Sequence, residues 1–360
     1  MFTSDEKKRI LNECTLQLFG HKHLSPKQIF KDLYENTIEN EKSDFYGSGD
    51  LINNFEKEIA SILGKEESIF MPSGTMAQQI AMRIYCDEKN NQNIAQHPLA
   101  HLEIHEEDGI KILHNIKTHL LGHKDRVFTT KDLQNLDHKV AAVLIELPQR
   151  EIGGQLPTWE ELKEISEYCR SNDIFLHLDG ARLWECAPFY KKKYDEICSL
   201  FDSVYVSFYK GIGAISGAIL AGNKEFISKS RPWLRRHGGN LFKLFPYIIS
   251  SKINFEKRIS KMELYHNKAI EIAKIFNSFE KISTIPSSPC TNMFHIYINS
   301  ELDTVENALY TIAKKHKIEL LPYLEKSNNQ IKSELSFGDL ALEIKKEEIE
   351  LFISDFSKLL

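Results

Sequence analysis

Cysteine and tryptophan are scarce in this sequence, six and three among 360 residues. Cys14, Cys86, Cys169, Cys186, Cys198 and Cys290 are scattered, and no two form a Cys-x-x-Cys pair. A chain of this length closes a core without disulfide staples, so the thiols are read as reduced, mostly as small core fillers. Without clustered Cys/His spacing, no metal is assigned. Long apolar runs are missing too, and nothing approaches the ~20 residues that span a bilayer. The opening MFTSDEKKRILNE is charged and has no apolar stretch of the signal-peptide kind, so a cytoplasmic protein without membrane partners is expected. Positive charge is not in excess: 46 Lys and Arg stand against 51 Asp and Glu, a formal net charge of -5. That balance argues against a nucleic-acid partner, which asks for a basic face. Lys191-Lys192-Lys193 and Arg235-Arg236 are read as solvated surface. No internal repeat or low-complexity tract is found.

What is present is an ordinary globular composition, 42% hydrophobic and 27% charged. The first forty-odd residues are polar with a helical pattern. The Gly-rich turn DFYGSGD then feeds an amphipathic helix closed by Gly64. From there strands and helices alternate. ESIFM, KVAAVLIEL, IFLHLD, SVYVSF and GAILAG read as buried strands, with GTMAQQIAMRIY and Thr158 to about Ser171 as helices. This alternation predicts a mostly parallel sheet with helices on both faces. A second group follows: TNMFHIYI, a helix at about Thr304–His316, IELL, SELSF and a final helix. The expected class is α/β, with an N-terminal helical segment at 1–45, a large domain at 46–250 and a small α+β domain at 251–360.

Three stretches carry chemistry. In SFYKGIGA, Lys210 stands at the end of a buried strand, before Gly211-Ile212-Gly213. Desolvation there favours the neutral amine that attacks an aldehyde, as a Schiff-base lysine must. A strand-end lysine that snorkels to solvent fits the same stretch. In HLDGARLW, Asp179 ends a strand, where open α/β sheets place their ligands. An aspartate there can keep the ring nitrogen of pyridoxal 5′-phosphate protonated, and Arg182 offers a planar fork for a carboxylate. A helix cap and a surface ion pair are the plainer readings of these two. In MPSGTMAQQ, a strand runs through Ser73, Gly74 and Thr75 into a helix. Its first N–H groups and two hydroxyls suit a phosphate, and equally a plain cap.

Taken together and in this order, the stretches resemble the threonine aldolase / β-eliminating lyase family of fold-type I pyridoxal-phosphate enzymes. The resemblance rests on DFYGSGD with Tyr46, PSGTMA, HLEIHEEDG with His101 and Glu106, HLDGAR, SFYKGIGA with GAILAG behind it, and TNMFHIYI. It implies that Lys210 holds the cofactor as a Schiff base, that Asp179 pairs with its ring nitrogen and that His101 stacks on its face. Ser73, Gly74 and Thr75, helped by Ser207, would cradle the phosphate. Arg182 would bind the substrate carboxylate, and Tyr46 would reach a neighbouring subunit's site in a homodimer or homotetramer. His97 and His105 are read as structural hydrogen-bonders. The implied reaction cleaves a β-hydroxy-α-amino acid to glycine and an aldehyde. β-Elimination, transamination and a weakly catalytic cofactor-binding role are the alternatives.

Three positions depart from the family's pattern. The loop ELPQREIGGQLP has Gln149 or Arg150 near the place of a histidine, and glutamine cannot act as a base. SELSFGDLALEI lacks the family's C-terminal arginine. Phe242 stands where an arginine near the phosphate is usual, with Arg235 and Arg236 as candidate replacements. Gln149 is therefore expected to orient the substrate hydroxyl or a water, and His101 or the phosphate to take the proton.

Overall fold

The computed structural model describes residues 2–360, which divide into two compact units. One holds residues 24–151 and 156–260, the other 2–23, 152–155 and 261–360.

The larger unit is built on a seven-stranded sheet. Its strands are β1 (Glu67–Met71), β2 (Asn93–Gln96), β3 (Lys117–Leu120), β4 (Ala142–Glu146), β5 (Phe175–Gly180), β6 (Ser203–Ser207) and β7 (Ala218–Gly222). Their spatial order is β1-β7-β6-β5-β4-β2-β3. Neighbours from β6 through β3 pair in parallel, while β7 runs antiparallel to both β6 and β1. Six strands thus share one direction. The interior strands β6 and β7 are buried at every residue, which is why they read as unbroken apolar runs.

Helices cover both faces. On one, Ala77, Ile80, Ala81 and Ile84 of α1 (Gly74–Lys89) and Phe226, Ile227 and Leu234 of α2 (Lys224–Arg236) pack on Ile69, Met71, Leu144 and Leu220. On the other, Phe55 of the helix Asp50–Ile62 meets the rings of Phe70 and Phe208. Ile69 and Phe70 point to opposite sides of β1, as the two-residue strand period requires. Burying apolar area on both faces, at roughly 25 cal/mol per Å², is the main stabilising term for such a sheet.

The smaller unit has a four-stranded antiparallel sheet, β10-β11-β9-β8 in spatial order. These strands are β8 (Ile282–Ile285), β9 (Met293–Ile298), β10 (Glu325–Ser327) and β11 (Gln330–Ser336). Phe294, Ile296 and Ile298 alternate inward against Phe276, Ile312, Ile349 and Phe356 from the helices. The first residues of the chain belong here: Leu16–Gln17 pair in parallel with Ile318–Glu319, and Leu18 is buried in this core. The N-terminal segment expected at 1–45 is thus shared between the units at residues 23 and 24. The last change of unit falls at 260 and 261, ten residues beyond the expected boundary, in the 3-10 turn Ile259–Lys261 between two long helices.

Candidate active site

Because six strands run one way, the carboxyl ends of β1, β2, β4, β5 and β6 share one edge of the sheet. The expected site residues are distributed over those ends. Ser73, Gly74 and Thr75 follow β1, His101 follows β2, Gln149 follows β4, Asp179 and Arg182 belong to β5 and its loop, and Ser207 and Lys210 to β6 and its turn. Tyr46 is not carried by a strand end. It is exposed with φ +48°, its ring edge-on to Phe242 at 5.2 Å. Arg235 and Arg236 are exposed, and Arg236 lies over the Trp233 ring, so neither guanidinium is buried toward a ligand.

Asp179 is 2% exposed and stands opposite Glu146 in the β4–β5 register. It accepts the Ala181 N–H at 3.1 Å. Burial pushes its carboxyl above the ordinary range, against the pull of His101 and of that N–H. Glu146 is partly buried, and its carboxyl is raised for the same reason, with the Asp179 charge adding to the effect. Lys210 behaves in the opposite sense. Burial, with Arg182 and Arg150 nearby, pulls its amine below the usual value and favours the neutral nucleophile.

Two buried networks set the loops around this group. The His101 N–H donates to Glu146 Oε2 at 3.2 Å, and the Arg150 N–H donates to Glu146 Oε1 at 3.2 Å. Gln149 Nε2 donates to the same Glu146 Oε2 at 3.1 Å and to the Leu99 carbonyl at 2.9 Å. Gln149 is 3% exposed, and both its amide hydrogens are directed into the protein. Its amide nitrogen is thereby committed to Glu146 and Leu99. In the second network His101 Nδ1 lies 3.2 Å from Glu106 Oε1, and Glu106 Oε2 accepts from Gln79 at 3.2 Å. Glu106 holds the imidazolium form and raises the His101 pKa in spite of burial. His97 is saturated by the carbonyls of His123 and Arg126, a structural role, and His105 pairs with Glu151 at 2.9 Å.

The β-eliminating lyase family model matches residues 34–301. The chain belongs to that family. Within the family it is 48% identical to a crystal structure of a candidate L-allo-threonine aldolase from Listeria monocytogenes, with a TM-score of 0.95 and 99% of each chain covered. A candidate aromatic amino acid β-eliminating lyase/threonine aldolase from Exiguobacterium is 40% identical, also with a TM-score of 0.95, covering 99% of this chain and 100% of that one. The low-specificity L-threonine aldolase of Candida albicans is 32% identical over 233 residues, 60% of each chain. The mixed α/β fold expected for this family is the one observed.

Pyridoxal 5′-phosphate is the cofactor that goes with this family, and the strand ends suit it. Ser207 is fully buried at this edge of the sheet, with its hydroxyl beside that of Tyr205. Ser73 caps α1 by accepting the Met76 N–H at 3.3 Å, which leaves the preceding first-turn N–H groups for an anion. Asp179 is a buried carboxylate with no salt-bridge partner among the described residues, and a protonated ring nitrogen supplies a cation. Sequence reasoning named these groups but missed Glu146 as the common acceptor for the His101, Gln149 and Arg150 N–H groups.

Proposed function

We propose that this protein cleaves a β-hydroxy-α-amino acid to glycine and an aldehyde, as a low-specificity L-threonine aldolase does. The observation that carries this reading is the placement of Asp179, Arg182 and Lys210 at the ends of the adjacent strands β5 and β6, in a chain 48% identical to a candidate L-allo-threonine aldolase over nearly its full length. Bound pyridoxal phosphate supplies an electron sink for the pair released when the Cα–Cβ bond breaks. The residues do the rest. Lys210 offers an amine biased toward its neutral form. Asp179 keeps a proton on the ring nitrogen. The Ser73 and Ser207 hydroxyls and the N–H groups of Gly74 and Thr75 hold the phosphate. Arg182 binds the α-carboxylate through its planar fork.

The β-hydroxyl must lose its proton as the bond breaks. Gln149 cannot titrate, and Arg150 stays charged. His101 Nε2, directly or through a water, takes that proton. Because Glu106 raises the His101 pKa, the rate climbs with pH as the imidazolium loses its proton.

A homodimer or homotetramer suits the exposed apolar groups of the larger unit. Phe30 and Tyr34 lie on the helix Pro26–Glu35, none of whose residues is buried, and Ile38 follows it. Phe45, Tyr46 and Phe242 form a second exposed cluster. A cytoplasmic location suits six free cysteines. No described helix is long and apolar enough to cross a membrane.

The deciding experiment is product analysis with purified protein and a panel of β-hydroxy amino acids. Glycine plus an aldehyde is expected. Pyruvate and ammonia would mean elimination, and a new amino acid formed from a keto acid would mean transamination. Bound cofactor without turnover would leave a binding protein. Borohydride reduction and peptide mapping should find the cofactor on Lys210.

A further inference from the structure

The turn after β6 contains two glycines with different reasons to be there. Gly213 has φ +76°, a left-handed conformation that disfavours other residues. Gly211 has no such angle. A Cβ on it would stand 1.9 Å from Glu185 Oε1, so this glycine makes room for a carboxylate. Glu185 is 2% exposed and accepts the Gly211 N–H, and its Oε2 has no partner among the described residues. The neighbouring Trp184 Nε1–H donates to the Ser207 carbonyl at 3.0 Å. Trp184 and Glu185 therefore grip the backbone three residues before Lys210 and one residue after it. Both belong to the 3-10 turn Leu183–Glu185, which directly follows Arg182 and whose Glu185 N–H donates to the Arg182 carbonyl at 3.2 Å. From the far side, Arg258 Nη1 donates to the Ile212 carbonyl at 2.7 Å.

We infer that Glu185, seconded by Trp184, is a positioning residue that fixes the Lys210 amine relative to Asp179 and Arg182 by holding the Gly211 amide. This rests on Lys210 being the cofactor lysine. The end of β5 and its loop carry the groups for ring nitrogen and carboxylate, the turn from β6 carries the amine, and Glu185 ties one to the other. Burial lifts the Glu185 carboxyl to about 7, with Arg182 pulling the other way, so an uncharged acceptor oxygen of the same shape should serve nearly as well.

The test uses Glu185→Gln and Glu185→Leu. Two readouts are made on each: kcat and KM of the holoenzyme, and the rate at which apoprotein reloads cofactor, followed by visible absorbance. Glu185→Gln keeps the acceptor and should stay within about threefold of wild type in both. Glu185→Leu should reload roughly tenfold more slowly and lose about 10–100-fold in kcat, with KM little changed, as expected when a reacting group is displaced by a fraction of an ångström to an ångström. A Glu185→Leu protein that melts earlier but reloads and turns over normally would reduce Glu185 to a structural acid. Glu185→Gln as damaged as Glu185→Leu would show that charge, not the amide contact, matters, and would overturn the assignment. If Glu185→Leu does not fold, Glu185→Ala removes the same acceptor with less bulk. It should slow reloading and lower kcat as expected for Glu185→Leu; normal reloading and turnover in Glu185→Ala refute the contact. Borohydride mapping accompanies each variant. An adduct on another lysine would remove the cofactor assignment and this inference with it, whereas normal reloading on Lys210 in Glu185→Leu removes the inference alone.

Discussion

Asp179 in the larger unit and Asp339 in the smaller one are both withdrawn from solvent, and they have opposite fates. Asp339 accepts from the Tyr265 hydroxyl at 2.6 Å and from Lys261 Nζ at 2.8 Å, with His21 Nδ1 at 3.2 Å. Burial works against its charge, but the contacts with His21, Lys261 and Tyr265 outweigh it and hold the carboxyl well below the usual range. Asp179 has one backbone N–H and no salt-bridge partner among the described residues, beside a second carboxylate on the next strand. A fully partnered aspartate stabilises its own unit. One left short of a cation marks where a ligand's cation belongs, at a cost to the protein without it.

The comparison breaks most visibly at Asp179→Asn. An amide cannot hold the ring proton as an ion pair, so kcat should fall by about 10²–10³ and cofactor should be retained less well. The apoprotein should nevertheless be no less stable than wild type at neutral pH, because an uncompensated buried charge is gone. The pH dependence follows from the raised folded-state pKa. The contribution of Asp179 to stability is fully present below the ordinary carboxylate value near ~4 and is lost as pH rises through the raised one. Melting curves of both apoproteins from acid to neutral pH check this. The mutant's advantage should grow with pH, and an advantage that shrinks would refute the reading.

Asp339→Asn should do the reverse. Here the folded pKa is depressed, so the stabilisation is present above the ordinary value and lost as pH falls toward the depressed one. At neutral pH the substitution should cost about 2–3 kcal/mol, read from the denaturant midpoint at constant slope. Holoenzyme kcat should stay within about twofold. An Asp339→Asn protein that melts normally but loses turnover would invert the comparison.

Much of the larger unit was legible because parallel strands buried on both faces leave continuous apolar runs. KVAAVLIEL and SVYVSF contain Ala142–Glu146 and Ser203–Ser207, and IFLHLD covers all of Phe175–Gly180 but its last residue. The edge strand Lys117–Leu120 was not legible, since KTHL is short and not buried at any residue. Nor was the docking of the first residues into the smaller core, because a two-residue ladder at Leu16 and Ile318 leaves no periodicity to detect. In the site, Lys210 and Asp179 could be read from their positions at strand ends, whereas His101 came only with the family resemblance. The contacts of Glu146, Glu185 and Gln149 could not, because each depends on atoms brought within 3 Å or so from segments distant in sequence. Gln149 is the instructive case: the lack of a histidine in its loop was visible, but its hydrogen bonds were not.

The smallest effect is expected at Gln149→Ala, and it sharpens the comparison from the unsatisfied side. Gln149 supplies one of three N–H donors to Glu146, the carboxylate in register with Asp179. Its other hydrogen goes to the Leu99 carbonyl, two residues before His101. Alanine removes both bonds but leaves the His101 and Arg150 backbone donors in place, so Glu146 remains partly satisfied. Losing such contacts costs about 1–2 kcal/mol, or roughly 5–30-fold in kcat/KM. Since the amide neither gives nor takes a proton, the pH profile with threonine should run parallel to wild type, merely offset. His101→Asn should lose more and flatten the profile, because it removes the titrating group. If Gln149→Ala abolishes turnover in folded holoenzyme while His101→Asn leaves it intact, the β-hydroxyl proton leaves through the loop after β4, and the brace at Glu146 is part of the chemistry rather than its support.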